Sequence, residues 1–210
     1  MTIAIRAIII IFIIPVCAFG SSIHLDAGSI QISQPIETWT SRRDQQIVKQ
    51  QFDFSCGASS MATLLTHYFN DTHTEIDILE LFDHKEAAAS FDDMKNVLTT
   101  LGYQAKGYAV SFAQLAKVTV PVILHIHQKE TNHFVVLRAI DDEHVHVADP
   151  STGNRFYSKQ QFLKLWLTDT SSTKGKILAV MGSSHGDNTE NFFLNVVKYK
   201  TPIIFPPFNS

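Results

Sequence analysis

The spacing of apolar residues along this chain changes from helical to alternating near position 104. After Cys56, residues Met61, Leu64, Leu65 and Tyr68 recur at helical intervals, which predicts a helix ending near Asn70-Asp71. Ile76, Leu79, Leu81 and Phe82 predict a second helix over 74–82 with Thr74 as its N-cap. Ser90 and Asp93 form a capping-box pair ahead of a third helix over 91–101, and Gly102 marks its stop. From there the period shortens. Runs at 104–110, 121–127, 133–140, 144–147, 155–157 and 176–181 read as strands. A helical turn or two is expected over 111–117 and a closing helix over 158–167. Asp141-Asp142-Glu143 and Asp149-Pro150-Ser151-Thr152-Gly153 supply turns. Helices first and antiparallel strands later predict an α+β architecture.

The two ends differ from this middle. Residues 1–20 combine Arg6, an isoleucine-dominated apolar run over 7–16, and Ala18-Phe19-Gly20, the pattern of an export signal cleaved after Gly20. The run is shorter than the roughly 20 apolar residues that span a bilayer, and Pro15 interrupts it. The expected organisation is therefore a signal peptide (1–20), an extended, largely irregular lead-in (21–48), one domain (49–182) and a tail (183–210). The tail holds apolar clusters at 192–194 and 203–205 and gives no clear periodicity. The expected location is periplasmic or secreted, with no stable membrane span after signal cleavage.

Composition narrows the class. Of 210 residues, 45% are hydrophobic and 18% charged, which describes a chain that forms a core. The net charge of -3 argues against a phosphate-backbone binder, so nucleic acid is not an expected partner. No Gly-rich phosphate loop and no C-x-x-C pair occurs in the sequence. No cofactor is implied.

Removing residues 1–20 also removes Cys17 and leaves Cys56 as the only thiol. A lone cysteine in an exported chain points to a reactive thiol or to intermolecular pairing. Cys56 is expected at a helix N-terminus, where unpaired N–H groups and the helix dipole favour the thiolate. A packed core cysteine is the bland alternative. A nucleophile needs a base, a group to orient that base, and donors for an oxyanion. His133 opens one predicted strand and Asp149 closes the next. The two strands form a hairpin, which sets these residues side by side and lets Asp149 fix the imidazole tautomer. Gln50, six residues before Cys56, can turn its amide toward the pocket that the Cys56 N–H faces. Taken singly, His133 reads equally well as a strand-edge residue, Asp149 as a turn former and Gln50 as a solvated polar group. Their coincidence is the signal.

The run from Gln50 to Gly57, Asn132-His133-Phe134-Val135-Val136 and Ala148-Asp149-Pro150 together resemble the C39 family of papain-like cysteine peptidases. That family is typified by bacteriocin-processing peptidases fused to export transporters. The resemblance covers roughly 49–167 and implies a papain-like fold with helices packed on an antiparallel sheet. Carried over position by position, it implies Cys56 as nucleophile, His133 as general base and acid, Asp149 as orienting residue and Gln50 as oxyanion donor. It implies an endopeptidase acting on a polypeptide, here a co-exported protein, with a secretion-system component as a further partner. Two departures stand out. The chain carries its own export signal, and so is similar to stand-alone exported members, some of which resemble the peptidase encoded with functional-amyloid secretion systems. Ser55 also precedes Cys56 where transporter-fused members commonly carry an acidic residue, so the resemblance does not by itself imply a double-glycine preference.

Two other readings compete. His125-Ile126-His127 and His144-Val145-His146 each place two imidazoles on one face of a strand, a spacing open to a metal, although no further ligand is evident to complete a site. The other is a catalytically silent peptidase-like domain that grips a peptide or assists secretion, against which the retained Cys56 argues.

Overall fold

The computed structural model describes residues 22–27, 30–35, 38–84, 88–128, 131–167, 173–182 and 192–193. The expected export signal and all but two residues of the expected tail lie outside these. The chain divides into two units after Trp39. The first unit carries an antiparallel ladder of β1 (Ser22–Ala27) and β2 (Ile30–Pro35), with Ser22 opposite Pro35. The lead-in expected to be irregular thus contains regular strand pairing. The alternation Ile30-Gln31-Ile32-Ser33 is the part of the sequence that favours it. A short helix follows as α1 (Trp39–Arg43).

The second unit is built on a six-stranded sheet. Its helices are α2 (Cys56–His67), α3 (Glu75–Leu79), α4 (Phe91–Thr100), α5 (Phe112–Leu115) and α6 (Lys159–Trp166). Its strands are β3 (Gln104–Val110), β4 (Ile123–Gln128), β5 (Thr131–Ile140), β6 (His144–Asp149), β7 (Gly153–Ser158) and β8 (Gly175–Met181). All neighbours are antiparallel in the order β3-β8-β4-β5-β6-β7. The fold is α+β, as the change of hydrophobic period predicts.

Helices cover both faces of the sheet. Ile123, Phe134, Val136, Ala148, Leu178 and Val180 point toward α2, α3 and α4. Leu124, Val135, Leu137, Val147 and Ile177 point the other way, toward α5 and α6. This explains why β5 carries the continuous apolar run Phe134-Val135-Val136-Leu137: from His133 to Ile140 every residue is buried. The expected capping residues Thr74, Ser90 and Asp93 do form boxes, with Ser90 Oγ accepting from the Asp93 N–H and the Asp93 carboxylate accepting from the Ser90 N–H. Helix α2 lies in the middle and is buried on every side from Cys56 to Leu65. Its small residues let it approach β5 closely enough for the Ser60 hydroxyl to donate to the Phe134 carbonyl at 3.0 Å.

One charged residue sits inside this packing. A bulge shifts the β5–β6 register between Leu137 and Ala139, and Arg138 lies at that point. Its guanidinium donates to the carbonyls of Phe192 and Gln45 at 3.1 and 3.3 Å, to Asn154 Oδ1 at 3.0 Å, and to Gln46 Oε1. It also lies 4.7 Å from the centre of the Phe192 ring. Burial pulls its pKa down to about 10, so it remains a cation. Phe192 is completely buried in the α2 side of the core, beside His67 and Tyr68. Among the described residues, no helix is long and apolar enough to cross a membrane.

Close packing is tightest where β8 begins. A Cβ added at Gly175 would lie 2.1–2.6 Å from the Trp166 indole, which is fully buried and donates to the Lys176 carbonyl at 3.1 Å. Gly175→Ala is therefore expected to lower unfolding free energy by about 1–3 kcal/mol. A denaturant titration that shows an unchanged midpoint would contradict this packing.

Candidate active site

Cys56 is the first residue of α2, and the N–H groups of a first helical turn have no acceptor within the helix. The side chain is 3% exposed and belongs to the core cluster, so the thiol is less open than a reactive cysteine is expected to be. A polar side chain beside it is what distinguishes it from packing. His133 faces Cys56 on one side, and the thiol acts to raise the proton affinity of the imidazole. On the other, His133 Nε2 lies 2.9 Å from Asp149 Oδ1. With Nε2 engaged by the carboxylate, Nδ1 is the ring atom left for the thiol.

The hairpin logic holds with one refinement. The β5–β6 ladder ends at Val136 with Ala148, and His133 and Asp149 lie just past that end. His133 is the third residue of β5 rather than the first. Asp149 has no solvent exposure, and its charge is met by donors on every side. Oδ1 accepts from the N–H groups of Ser151 and Thr152 at 2.8 and 3.1 Å, and Oδ2 accepts from the Thr152 hydroxyl at 2.8 Å. These donors come from the turn that Asp149-Pro150 opens. Gly153 closes the turn at φ +92°, a conformation few other residues adopt.

The charge balance follows from these contacts. Burial opposes the charged form of His133, but its hydrogen bonds to Asp149 and Cys56 outweigh that and push the pKa up to about 9. Burial likewise opposes ionisation of Asp149, and the hydrogen bonds from His133 and Thr152 overcome it, holding the carboxyl below its usual range.

Gln50 lies on the turn that leads into α2. Its backbone N–H donates to the Pro150 carbonyl at 3.1 Å, and Lys49 Nζ donates to the Ser151 carbonyl at 2.9 Å. The nucleophile loop is thus tied to the Asp149 turn. The Gln50 amide donates one hydrogen to the Phe52 carbonyl at 3.0 Å, which fixes the group and leaves its second hydrogen free of the turn. Gln50 and His133 line one open cavity of about 730 Å³, together with Asp53, Phe54, Asn132 and Thr152. A smaller cavity of about 380 Å³ shares Ala88 and Asn132 with it and adds Phe91, His125 and Phe134.

All four sequence-predicted residues therefore fall in one region. Two contributors were not foreseen. The Thr152 hydroxyl follows from turn chemistry that Asp149-Pro150 already hints at. Glu75, buried at the start of α3, leaves no sequence signal, because a residue after an N-cap is ordinarily solvated. The histidine pairs do not converge: β5 separates β4 from β6, and His146 stacks on Phe156 at 3.9 Å between ring centres. Among the described residues, no group of three or more His, Cys, Asp or Glu side chains is placed to hold a metal.

A thiol, an imidazole and a buried carboxylate in line suit nucleophilic acyl transfer at sulfur. On an α+β fold with the thiol at a helix N-terminus and the imidazole on the sheet, they define a papain-like cysteine peptidase. The chain belongs to the peptidase C39 family, whose sequence profile matches residues 44–172. It is 30% identical over 168 residues to the probable functional amyloid protease FapD of Pseudomonas aeruginosa, covering 77% of this chain and 71% of that one. Among solved structures, the peptidase domain of Streptococcus ComA, a bi-functional ABC transporter involved in a quorum-sensing pathway, superposes with a TM-score of 0.56 at 18% identity. That match covers 65% of this chain and 97% of that one. A double-glycine-motif protease from an AMS/PCAT transporter, solved with its leader peptide, gives 0.53 at 24% identity over 64% and 89%. These two likenesses concern the fold.

The His133–Asp149 pair has a defined pH window. Folding raises the imidazole pKa from 6.5 to about 9, so this contribution to stability is full below pH 6.5 and is lost as pH rises through about 9. Asp149 contributes above the ordinary carboxylate range and loses that contribution as pH falls through its lowered folded value. In Asp149→Asn, NMR of the His133 ring should show its titration midpoint falling from about 9 toward the free value of 6.5. An unmoved midpoint would mean that the carboxylate does not govern the imidazole.

Proposed function

We propose that this peptidase cuts a peptide bond in a co-exported protein through a thioester acyl-enzyme, with Cys56 as nucleophile. The observation that supports the reading is the single imidazole held between a helix-terminal thiol and a buried carboxylate. The Cys56 thiolate attacks the scissile carbonyl carbon, and the carbonyl electron pair moves onto oxygen. The Gln50 amide and the Cys56 N–H receive that oxyanion. The imidazolium of His133 then gives its proton to the leaving amine as the C–N bond breaks, and a thioester remains on Cys56. Neutral His133 next takes a proton from water, whose oxygen attacks the thioester. The acid product leaves and the thiol is restored. Asp149 stays ionised throughout and keeps Nδ1 aimed at sulfur.

The setting of the reaction is exported. We take residues 1–20 as the export signal, so that the enzyme acts in the periplasm or outside the cell with Cys56 as its one remaining thiol. The likeness to a probable functional amyloid protease supports a substrate among proteins exported with an amyloid-forming system. A secretion component is the fitting partner. A double-glycine motif is not assumed for the substrate, because Ser55 stands where transporter-fused members commonly carry an acidic residue before the cysteine.

A thiol-directed peptidase inhibitor should label Cys56 selectively near neutral pH, as peptide mapping would reveal; scattered or absent labelling would count against catalysis. Cys56→Ala should abolish processing of co-exported proteins compared side by side with wild type. Gln50→Ala should slow turnover roughly 100- to 1000-fold while Cys56 still reacts with small alkylating agents. Equal loss in both reactions would remove Gln50 from the oxyanion role.

A further inference from the structure

Beneath the nucleophile loop lies a carboxylate that the reaction scheme leaves unused. Glu75, the first residue of α3, is only 1% exposed. Its neighbour in the same helical turn, Asp77, is exposed and completes the capping box with Thr74. That box fixes the start of α3 and therefore the position of Glu75. Oε1 of Glu75 accepts from the Gln51 backbone N–H at 2.8 Å and lies against the Ser55 hydroxyl. Oε2 is buried and has no hydrogen-bond partner among the described residues. A carboxylate is not buried at low cost, so this placement needs a compensating return.

The return is visible in what the carboxylate holds. Gln51 follows Gln50, and Ser55 precedes Cys56, so Glu75 grips both ends of the segment that joins the two oxyanion donors. Ser55 occupies the N-cap of α2 yet makes no side-chain cap there. Its hydroxyl instead lies between Glu75 and the Phe52 carbonyl, 2.7 Å from the latter. The same carbonyl accepts from the Ser55 N–H at 3.2 Å and from the Gln50 amide at 3.0 Å. A chain of contacts thus runs from Glu75 through Ser55 and the Phe52 carbonyl to the Gln50 side chain.

We propose that Glu75 is a positioning residue for acyl transfer: it braces the 51–55 turn so that the Gln50 amide and the Cys56 N–H converge on the developing oxyanion. This rests on the oxyanion roles proposed above. Glu75 itself touches neither the thiol nor the substrate. Its loss should slow reactions that pass through an oxyanion and spare those that do not.

Two probes separate these. N-acetylglycine p-nitrophenyl ester acylates Cys56 at a carbonyl, forming the thioester and releasing p-nitrophenolate through an oxyanion. Iodoacetamide alkylates Cys56 at a saturated carbon, forming a C–S bond and releasing iodide without one. In Glu75→Ala, acylation should slow about 10- to 100-fold, the range expected when reacting groups lose alignment. The rate and pH profile of alkylation should stay as in wild type. Glu75→Gln keeps one acceptor oxygen and should recover part of the acylation rate. Should the alanine variant fail to fold, Glu75→Gln and Ser55→Ala carry the test, each showing the same split to a lesser degree. Equal slowing of both reactions, or a shifted alkylation profile, would overturn the proposal, as would acylation indifferent to Glu75. A wild type that alkylates at Cys56 but is never acylated would overturn the underlying oxyanion reading and this role with it, a result distinct from any change confined to the variants.

Discussion

Asp149 carries its carboxylate where water does not reach, and the rest of the site is arranged around that constraint. A buried charge is tolerated only when donors surround it. Two of those donors come from the backbone of the following turn, one from the Thr152 hydroxyl, and one from His133. Because the turn supplies three of the four contacts, Asp149 is oriented before the imidazole arrives. The imidazole is then held by one nitrogen and presents the other to Cys56. The carboxylate fixes the tautomer of His133, and together with Cys56 it raises the proton affinity of the imidazole.

The architecture brings the nucleophile to that carboxylate. Cys56 comes from a helix and His133 and Asp149 from two strands, 77 and 93 positions further along the chain. Three links keep them in register: the Ser60 hydroxyl on the Phe134 carbonyl, the Gln50 N–H on the Pro150 carbonyl, and Lys49 on the Ser151 carbonyl. Helix α2 can be buried on every side because its first turns are Gly, Ala and Ser. A bulkier residue at Gly57 would press on the segment before α4, since an added Cβ would come within 3.1 Å of Ala89, and it would also touch Phe134 of β5 at 3.5 Å. Arg138 plays a comparable part on the same side of the sheet, where it holds Gln45, Gln46 and Phe192 together.

Much of this was legible in the order of residues. The strands over 104–110 and 176–181 were visible because alternation and β-branched residues are local signals. The starts of α3 and α4 were visible because Thr74, Ser90 and Asp93 satisfy backbone donors within a single turn. Cys56, His133, Asp149 and Gln50 could be picked out by spacing, since a hairpin and a helix start have predictable geometry. The hairpin formed by β1 and β2 was harder to see, because two short polar strands carry too little apolar pattern. The burial of Cys56 was also unexpected. It depends on how tightly α2 seats against β5 and α4, a distance that no local pattern records.

What the chain determined by itself is the set of elements, the chemistry-bearing side chains and the approximate pairing of His133 with Asp149, all of which arise from contacts near in sequence or from strand periodicity. Tertiary structure alone decided which polar groups would lose water. Asp149 and Glu75 are both acidic residues beside turn or cap signals, and nothing local separates them from Asp77, which is exposed, or Asp93, which is only partly buried. Only the closing of α2 and α3 over the loop from Gln50 to Ser55, and of that loop over the Pro150 turn, removes solvent from the first two. Desolvation is a property of the assembled layers, and it is desolvation that turns an ordinary carboxylate into one that orients a base or braces a loop.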